Sequence, residues 1–167
     1  MLGTKVNFKK AKTPLSKKIL GDYVVLEPIN PTKHVTQLFN NFYQDKKNTI
    51  WNYLPYGPFK NIKDFKKWLL NSCMNKDPFF YAIYAKRHKQ YCGMVSYLRI
   101  TPEHGSIEVG HINYSPLLQN SVEGTETMYL MMDINDEYNN LLSHSLNTMH
   151  LIDKQCKNIN EYIKYYW

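Results

Sequence analysis

The sequence has few cysteines and no long apolar run. Its 167 residues include three cysteines, Cys73, Cys92 and Cys156. Their odd number and wide spacing do not fit a disulfide framework, a zinc motif or a redox pair, so we expect buried thiols in a reducing compartment. No stretch approaches the roughly 18 apolar residues that a membrane-spanning helix needs, and the N-terminus lacks the apolar core of a signal peptide. We therefore expect a cytoplasmic protein without a membrane partner.

Histidines are also few, and they are scattered along the chain. The sequence has six of them, and even His144 and His150 are six positions apart. That spacing does not place two side chains on one helical face at chelating distance. We therefore expect no metal ion.

The apolar and aromatic content is sufficient for one folded domain. Hydrophobic residues make up 43% of the chain and aromatic residues 14%, with tyrosine the commonest of them. These fractions do not fit a disordered or collagen-like chain. A chain of this length favours one domain over two.

Positive charge exceeds negative charge. Lys and Arg number 21 against 14 Asp and Glu, which gives a net charge of +7. Such an excess attracts phosphate groups, either of a nucleotide cofactor or of nucleic acid. Much of it lies in residues 1–20, which we interpret as a basic N-terminal arm. No recognition-helix or RNA-binding motif is present, so we expect no nucleic-acid partner.

The order of hydrophobic patterns predicts an α/β fold. A β-branched run at 23–27 predicts a strand, and Asn30 and Pro31 then begin a helix. A second helix begins near Ile62. Three strand-like runs follow, at 79–84, 92–100 and 106–114. Because short polar connections join them, we expect an antiparallel meander.

Residues 51–59 combine two prolines and a glycine with four aromatic side chains. Proline and glycine exclude regular structure here, and the aromatic rings require burial or a ligand. Two interpretations remain open: a packed loop, or one wall of a ligand pocket.

The run at 106–114 leads through a turn into a helix. Alternation breaks at Ser115 and Pro116, and helical spacing begins at Thr125 and continues through Met128 and Met132. A strand-to-helix junction presents unpaired backbone N–H groups and the positive end of a helix dipole. A phosphate group fits such a junction.

These motifs resemble one known family. The stretch GSIEVGHINYSPLLQ, preceded by GDYVVLEPINPTKH, WNYLPYGPF, FFYAI and GMVSYLRI, is similar to the GNAT superfamily of N-acetyltransferases, in the branch related to ribosomal-protein acetyltransferases. The resemblance runs from Gly21 to Met132. It implies a GNAT-like mixed, largely antiparallel sheet flanked by helices in the order β-α-α-β-β-β-α. It also implies acetyl transfer from acetyl-CoA to a primary amine, carried by a small molecule or a protein N-terminus.

The resemblance places the cofactor along the fourth strand and in the turn after it. The family's turn carries Gln or Arg, then two residues, Gly, one residue, and Gly or Ala. Gln119 and Gly124 match this pattern, whereas Val122 replaces the middle glycine. Valine can still donate its backbone N–H, but its side chain crowds close approach and it does not easily take a positive φ, so we expect it to weaken binding. The implied cofactor-binding residues are Asn113, Tyr114, Gln119, Asn120, Ser121, Val122, Glu123, Gly124 and Thr125.

The resemblance makes Glu108 and Tyr114 the catalytic candidates. Glu108 could accept the proton of the amine directly or through water, and the alternative is an exposed carboxylate or a salt bridge. Tyr114 and Ser115 lie where the strand ends. His111 has a more suitable unperturbed pKa for a base, but it is three positions from Glu108 along the strand. Strict alternation predicts opposite faces for the two residues, and hence separate sites.

The resemblance stops at Met132. The family's fifth strand, fourth helix and final strands are not visible in 133–167, where apolar residues recur at spacings of three and four and predict an amphipathic helix. The segment is either a replacement helix, which covers the sheet or pairs with a second copy, or the product of a truncated or frameshifted reading frame. We therefore expect a basic arm at 1–20, a partial GNAT domain at 21–132 and an atypical segment at 133–167. The domain is then either an acetyltransferase of low activity or a noncatalytic remnant that binds acyl-CoA or dimerises.

Overall fold

The structure is a computed structural model that describes residues 10–14, 16–137 and 142–143. Its helices and strands in chain order are β1 (Ile19–Leu20), β2 (Val24–Pro28), α1 (Pro31–Phe42), a 3₁₀ turn (Thr49–Trp51), α2 (Ile62–Ser72), β3 (Phe79–Ala85), β4 (Gln90–Thr101), β5 (Ser106–Tyr114), α3 (Val122–Glu137) and β6 (Leu142–Ser143).

The strands form one sheet in the order β1-β2-β3-β4-β5-β6. Neighbours from β1 to β5 are antiparallel, and β6 is parallel to β5. The predicted mixed, largely antiparallel sheet with flanking helices is confirmed, as is the order β-α-α-β-β-β-α from β2 to α3. Among the described helices, none is long and apolar enough to cross a membrane.

The helix starts follow from their capping residues. The Asn30 side chain accepts hydrogen bonds from the N–H groups of Thr32 and Lys33, and Pro31 takes the first helical position of α1. Proline fits there because its fixed φ suits a helix and its missing N–H would have no partner. The Asn61 side chain caps α2 in the same way through the N–H of Asp64. Each cap satisfies backbone donors that a helix start leaves unpaired.

Helices cover both sides of the sheet. The side that we call the α3 face packs under α3, and the side that we call the α1–α2 face packs under α1 and α2. Buried residues of the α3 face include Leu26, Tyr81, Val95, Val109 and Met128. Buried residues of the α1–α2 face include Leu38, Phe65, Phe80, Ala82 and Met94. The domain is therefore a three-layer structure with a core on each side of the sheet.

A buried carboxylate ties α3 to the first hairpin. Glu126 accepts hydrogen bonds from the backbone N–H groups of Asp22, Tyr23 and Val24, each at 2.7 Å. It is only 7% exposed. Gly21 lies so close that a Cβ there would be 2.5 Å from Glu126 Oε2. Glu126 therefore holds residues far apart in sequence in one contact.

Both ends of the sequence lie partly outside the described residues. Within the predicted basic arm, residues 19–20 form β1, and Ala11 is buried with its N–H donating to Pro102 O at 3.0 Å. Within the predicted C-terminal segment, 133–137 continue α3, and Leu142 pairs with Ser106 as part of β6. The rest of 133–167, and with it the choice between a replacement helix and an altered reading frame, lies outside the described residues.

Candidate functional site

The turn between β5 and α3 is held against the neighbouring strand. Ser115 N–H donates to Cys92 O at 3.0 Å, and Leu118 N–H donates back to Ser115 O at 2.9 Å. The Gln119 side chain donates to Tyr114 O at 3.2 Å. These contacts fix the direction in which the chain enters α3.

Ser121 caps the start of α3. Its hydroxyl accepts a hydrogen bond from Gly124 N–H at 3.1 Å and donates to Leu118 O at 2.7 Å. The first N–H groups of an α-helix have no intrahelical acceptor. With Gly124 N–H capped, the N–H groups of Val122 and Glu123 are the donors at the start of α3, where the helix dipole favours an anion.

Val122 does not strain the turn. The positive φ of this segment, 52°, is at Asn120, a residue type that tolerates this conformation. Val122 is the first residue of α3, and its side chain is exposed. The expectation that Val122 weakens the site through an unsuitable φ is therefore wrong, because the left-handed residue is two positions earlier.

Thr125 of the predicted cofactor site, and Thr127 beyond it, bond to the helix backbone. Thr125 Oγ1 donates to Ser121 O at 3.2 Å, and Thr127 Oγ1 donates to Glu123 O at 2.8 Å. Glu123 is 4% exposed. A ligand at this point therefore meets backbone N–H groups and the exposed side chains of Asn120 and Val122.

A bulge in β5 changes which side chains share a face. Cross-strand partners lie on the same face of a sheet. Three pairs mark the α1–α2 face: Leu98 with Glu108, Ser96 with Gly110, and Met94 with Asn113. Between the last two pairs β5 has one residue more than β4, and His111 there has φ 49°. The alternation of β5 is therefore reset at this point.

His111 consequently lies on the same face as Glu108. Its ring is 5.5 Å from that of Tyr56 and 5.1 Å from that of Phe80, a core residue of the α1–α2 face. The prediction that Glu108 and His111 lie on opposite faces is wrong. Alternation holds only in a regular strand, and the sequence gives no sign of the extra residue at the bulge.

Glu108 of this pair forms an ion pair with Arg99. Arg99 Nη1 donates to Glu108 Oε2 at 2.8 Å, with 79% of the Arg99 side chain and 21% of the Glu108 side chain exposed. Burial lowers the pKa of His111, and the negative charge of Glu108 acts weakly against this. The salt bridge that the sequence left open for Glu108 is therefore present, next to a histidine that stays neutral at pH 7.

Tyr114 lies elsewhere. Its β4 partner is Gly93, its ring is buried in the core of the α3 face, and its hydroxyl donates to Gly124 O at 2.9 Å. The structure therefore does not bring the Tyr114 side chain together with Glu108. This geometry argues against a direct catalytic contact, and the backbone of Tyr114 remains a predicted part of the cofactor site.

Polar atoms at the end of β5 are buried without a partner. Both amide atoms of Asn113 and the hydroxyl of Ser115 have no hydrogen-bond partner among the described residues. Nearly all buried polar groups in proteins are paired, so such atoms indicate a ligand or solvent. They lie at the end of the strand that leads into α3, and their unpaired amide and hydroxyl groups fit a bound molecule that carries hydrogen-bonding groups. No group of His, Cys, Asp and Glu in the described part is arranged to hold a metal ion.

The aromatic loop is mostly a packing element. Trp51 is buried, and its ring lies 5.3 Å from that of Phe42 and 5.5 Å from that of Phe59. Tyr56 extends further, between Trp68 at 4.1 Å and His111 at 5.5 Å. Sequence reasoning did not identify Tyr56 as a neighbour of β5, because the contact joins segments that are distant in sequence.

Solved structures of known proteins match this architecture. No protein-family model matches the sequence, and no curated protein sequence does. A probable acetyltransferase of the GNAT family from Chromobacterium violaceum is 30% identical with a TM-score of 0.74, and the match covers 84% of this chain and 70% of that one. The chain belongs to the GNAT family. The prediction made from the motifs is therefore confirmed at the level of the family.

Further GNAT structures agree with this assignment. A GCN5-related N-acetyltransferase from Brucella melitensis is 30% identical with a TM-score of 0.75, over 78% of this chain and 59% of that protein. This chain thus spans about three fifths of the Brucella protein. A ribosomal-protein-S5-alanine acetyltransferase from Vibrio fischeri, 14% identical with a TM-score of 0.55 over 83% of this chain and 81% of that one, shares the fold.

Proposed function

We propose that the protein transfers an acetyl group from acetyl-CoA to a primary amine, carried by a small molecule or by a protein N-terminus. The observation that carries this proposal is the pair of unpartnered buried residues, Asn113 and Ser115, at the end of the strand that leads into the donor-rich start of α3. Membership of the GNAT family supports it.

Two backbone surfaces are suited to acetyl-CoA. The N–H groups of Val122 and Glu123 can donate to its pyrophosphate, where the helix dipole adds to the attraction. In the described part of the chain, β6 covers only Ser106 and Ile107 of the outer edge of β5. An extended pantetheine arm can pair with the edge beyond them, as a peptide pairs with an open sheet edge.

The chemistry requires one bond to form and one to break. The amine nitrogen bonds to the thioester carbonyl carbon, and the bond from that carbon to sulfur then breaks. The amine must be neutral, its proton must be accepted, and the leaving thiolate must gain a proton. Glu108 is a carboxylate on the α1–α2 face, able to accept a proton directly or through water.

Release of CoA thiol tests the activity. The purified chain is incubated with acetyl-CoA and a panel of alkyl amines, aromatic amines, diamines and peptides with free N-termini. Amine-dependent thiol release is the expected result. Calorimetric binding of acetyl-CoA without release for any amine would instead support the alternative, a noncatalytic module that binds acyl-CoA or dimerises.

Asn113→Leu tests whether the unpaired amide of Asn113 contacts acetyl-CoA. Leucine matches the size of asparagine but has no polar atoms, and removal of an unpaired buried amide stabilises a fold. We expect the variant to unfold at the same or a higher temperature and to bind acetyl-CoA at least about tenfold more weakly. Unchanged affinity would show that the Asn113 amide does not contact the ligand.

A further inference from the structure

The bulge gathers functional groups in a short stretch of β5. Glu108, Gly110 and His111 all lie on the α1–α2 face. A Cβ on Gly110 would be 2.7 Å from Leu98 Cδ2 and 3.8 Å from Glu108 Oε1. The Glu108 carboxylate therefore lies near the glycine that precedes His111, and the Leu98 side chain packs against that glycine.

Two aromatic rings pack against the His111 ring. Tyr56 stacks on it at an interplanar angle of 28°, and Phe80 packs at 37°. Within the described residues neither ring nitrogen has a hydrogen-bond partner, and the residue is half-buried. By contrast, the Glu108 carboxylate already accepts a hydrogen bond from Arg99. His111 is thus a positioned ring with an unengaged basic nitrogen.

We propose that His111 is a catalytic residue of acetyl transfer, whose neutral ring takes the proton of the attacking amine while Glu108 stabilises the imidazolium that forms. This inference rests on the proposed function, because it requires acetyl-CoA and an amine at this face. It differs from the sequence-based hypothesis, in which Glu108 is the proton acceptor.

The proton balance is complete. As the amine nitrogen bonds to the thioester carbon, one N–H proton passes to a His111 ring nitrogen, and the C–S electron pair leaves on sulfur. The imidazolium then returns its proton to the thiolate or to solvent. Burial keeps the pKa of His111 below its ordinary value, so the ring is in the accepting form at pH 7. The ionisable groups that face it are Glu108 from β5, with Arg99 from β4 bound to it, and Tyr56 from the loop.

His111→Asn is the test variant. Asparagine tolerates the positive φ of the bulge and removes the base. We expect kcat/KM for the best amine of the panel to fall at least about hundredfold at pH 7, with acetyl-CoA affinity by calorimetry unchanged. His104→Asn, at an exposed histidine in the turn before β5, is the control and retains activity.

The pH profile separates a base from a structural residue. Wild-type kcat/KM should fall as pH drops through the pKa of His111, and NMR titration of the His111 ring should give the same pKa. Glu108→Gln should move this limb to lower pH, since it removes the charge that raises the pKa. Glu108→Gln combined with His111→Asn should be no slower than His111→Asn alone, because the two residues act together.

Each contrary result has a defined meaning. Turnover of a folded His111→Asn variant within a few-fold of wild type would overturn this inference and leave the proposed function intact. So would a mismatch between the kinetic and NMR pKa values, which needs no variant. A wild-type chain that binds acetyl-CoA but transfers nothing, or that does not bind it, would overturn the proposed function and this inference together.

Discussion

Gly124 lies where the start of α3 meets the preceding turn. A Cβ at this position would be 2.5 Å from Leu118 O and 3.1 Å from Tyr114 Cε2. The backbone oxygen cannot move without disturbing the turn. Glycine is therefore required here for packing, whether or not a phosphate also approaches.

Gly124→Ala should destabilise the fold by about 1 to 3 kcal/mol, because the added methyl group overpacks this contact. Urea unfolding of the ligand-free protein measures the change. Val122→Ala, at the exposed first residue of α3, is the matched control and should stay close to wild type. If Gly124→Ala were as stable as wild type yet failed to bind acetyl-CoA, the glycine would serve ligand approach rather than packing.

Glu126 offers a second test of a single side chain. Glu126→Gln replaces one carboxylate oxygen by an NH₂ group that faces backbone donors, so at least one N–H loses its acceptor. We expect a loss of about 1 to 3 kcal/mol in the free energy of unfolding. Glu103→Gln removes the exposed salt bridge with Lys10 and should cause no measurable change. Equal stability of both variants would show that the Glu126 contact contributes nothing.

The positions of single site residues were predictable from the sequence only where a local sequence pattern determines them. Ser115 and Ser121 lie at the junction because a strand pattern and a helix pattern meet there, and this is visible in the sequence. The face of His111 was not predictable, since one inserted residue reverses alternation without changing composition. Tyr56 was missed for a different reason, because its contact with His111 depends on how α2 and its loop pack on the sheet.

The secondary structure was largely predictable. The strand expected at 106–114 is observed as β5, Ser106–Tyr114, and the strand expected at 79–84 is observed as β3, which extends by one residue to Ala85. Helix α3 begins at Val122, three residues before the expected Thr125, because Ser121 caps it. Hydrophobic periodicity identifies the body of a helix, whereas its first turn depends on the capping residue.

The start of α3 allows a test that leaves its helix intact. Proline is well tolerated at the first helical position, so Val122→Pro should fold while lacking the N–H proposed to bind pyrophosphate. We expect acetyl-CoA to bind roughly tenfold or more weakly, because a hydrogen bond to a charged group is lost. Calorimetry measures the affinity, and Val122→Ala, which retains the N–H, should bind like wild type. Equal affinities for the two variants would exclude this donor.

Buried ionisable groups on the α1–α2 face link the stability of the whole domain to pH. His34 is fully buried, and its Nδ1 accepts a hydrogen bond from Asn30 N–H at 3.1 Å. Burial lowers its pKa from 6.5 to about 4, against the opposing charge of Glu27. Burial also acts to raise the pKa of Glu27, but hydrogen bonds from Lys33, Tyr91 and Lys18 outweigh it and lower that pKa to about 2.

The two groups predict loss of stability on acidification in two overlapping steps. Between pH 6.5 and about 4, the unfolded chain binds more protons at His34 than the folded chain does, so the free energy of unfolding falls as the pH falls. Between pH 4.5 and about 2, the unfolded chain likewise binds more protons at Glu27, and the free energy of unfolding falls further. His34→Gln should reduce the loss in the first window by roughly 2 to 3 kcal/mol, measured by urea unfolding at each pH. His104→Gln, at an exposed site, should keep the wild-type slope. An unchanged slope in His34→Gln would assign the effect to other groups.

The three-layer arrangement followed from the order of the elements, but the contacts that lock its layers did not. Alternation and helical spacing report on neighbours along the chain. The contact of Glu126 with the first hairpin and the cluster around Glu27 each join residues far apart in sequence. Such contacts form only when the layers are assembled, so no local sequence pattern predicts them.

Because of the Glu126 contact, amide exchange in the first hairpin reports on whether α3 is docked on the sheet. The amide protons of Asp22, Tyr23 and Val24 share this one carboxylate as acceptor, so they become free to exchange with solvent deuterium when α3 lifts from the sheet. A ligand held at the first turn of α3 stabilises the docked helix, and it should therefore slow the exchange of these three amides by a common factor. Isotope labelling at 22–24 thus reports on occupancy of a site to which those residues do not belong.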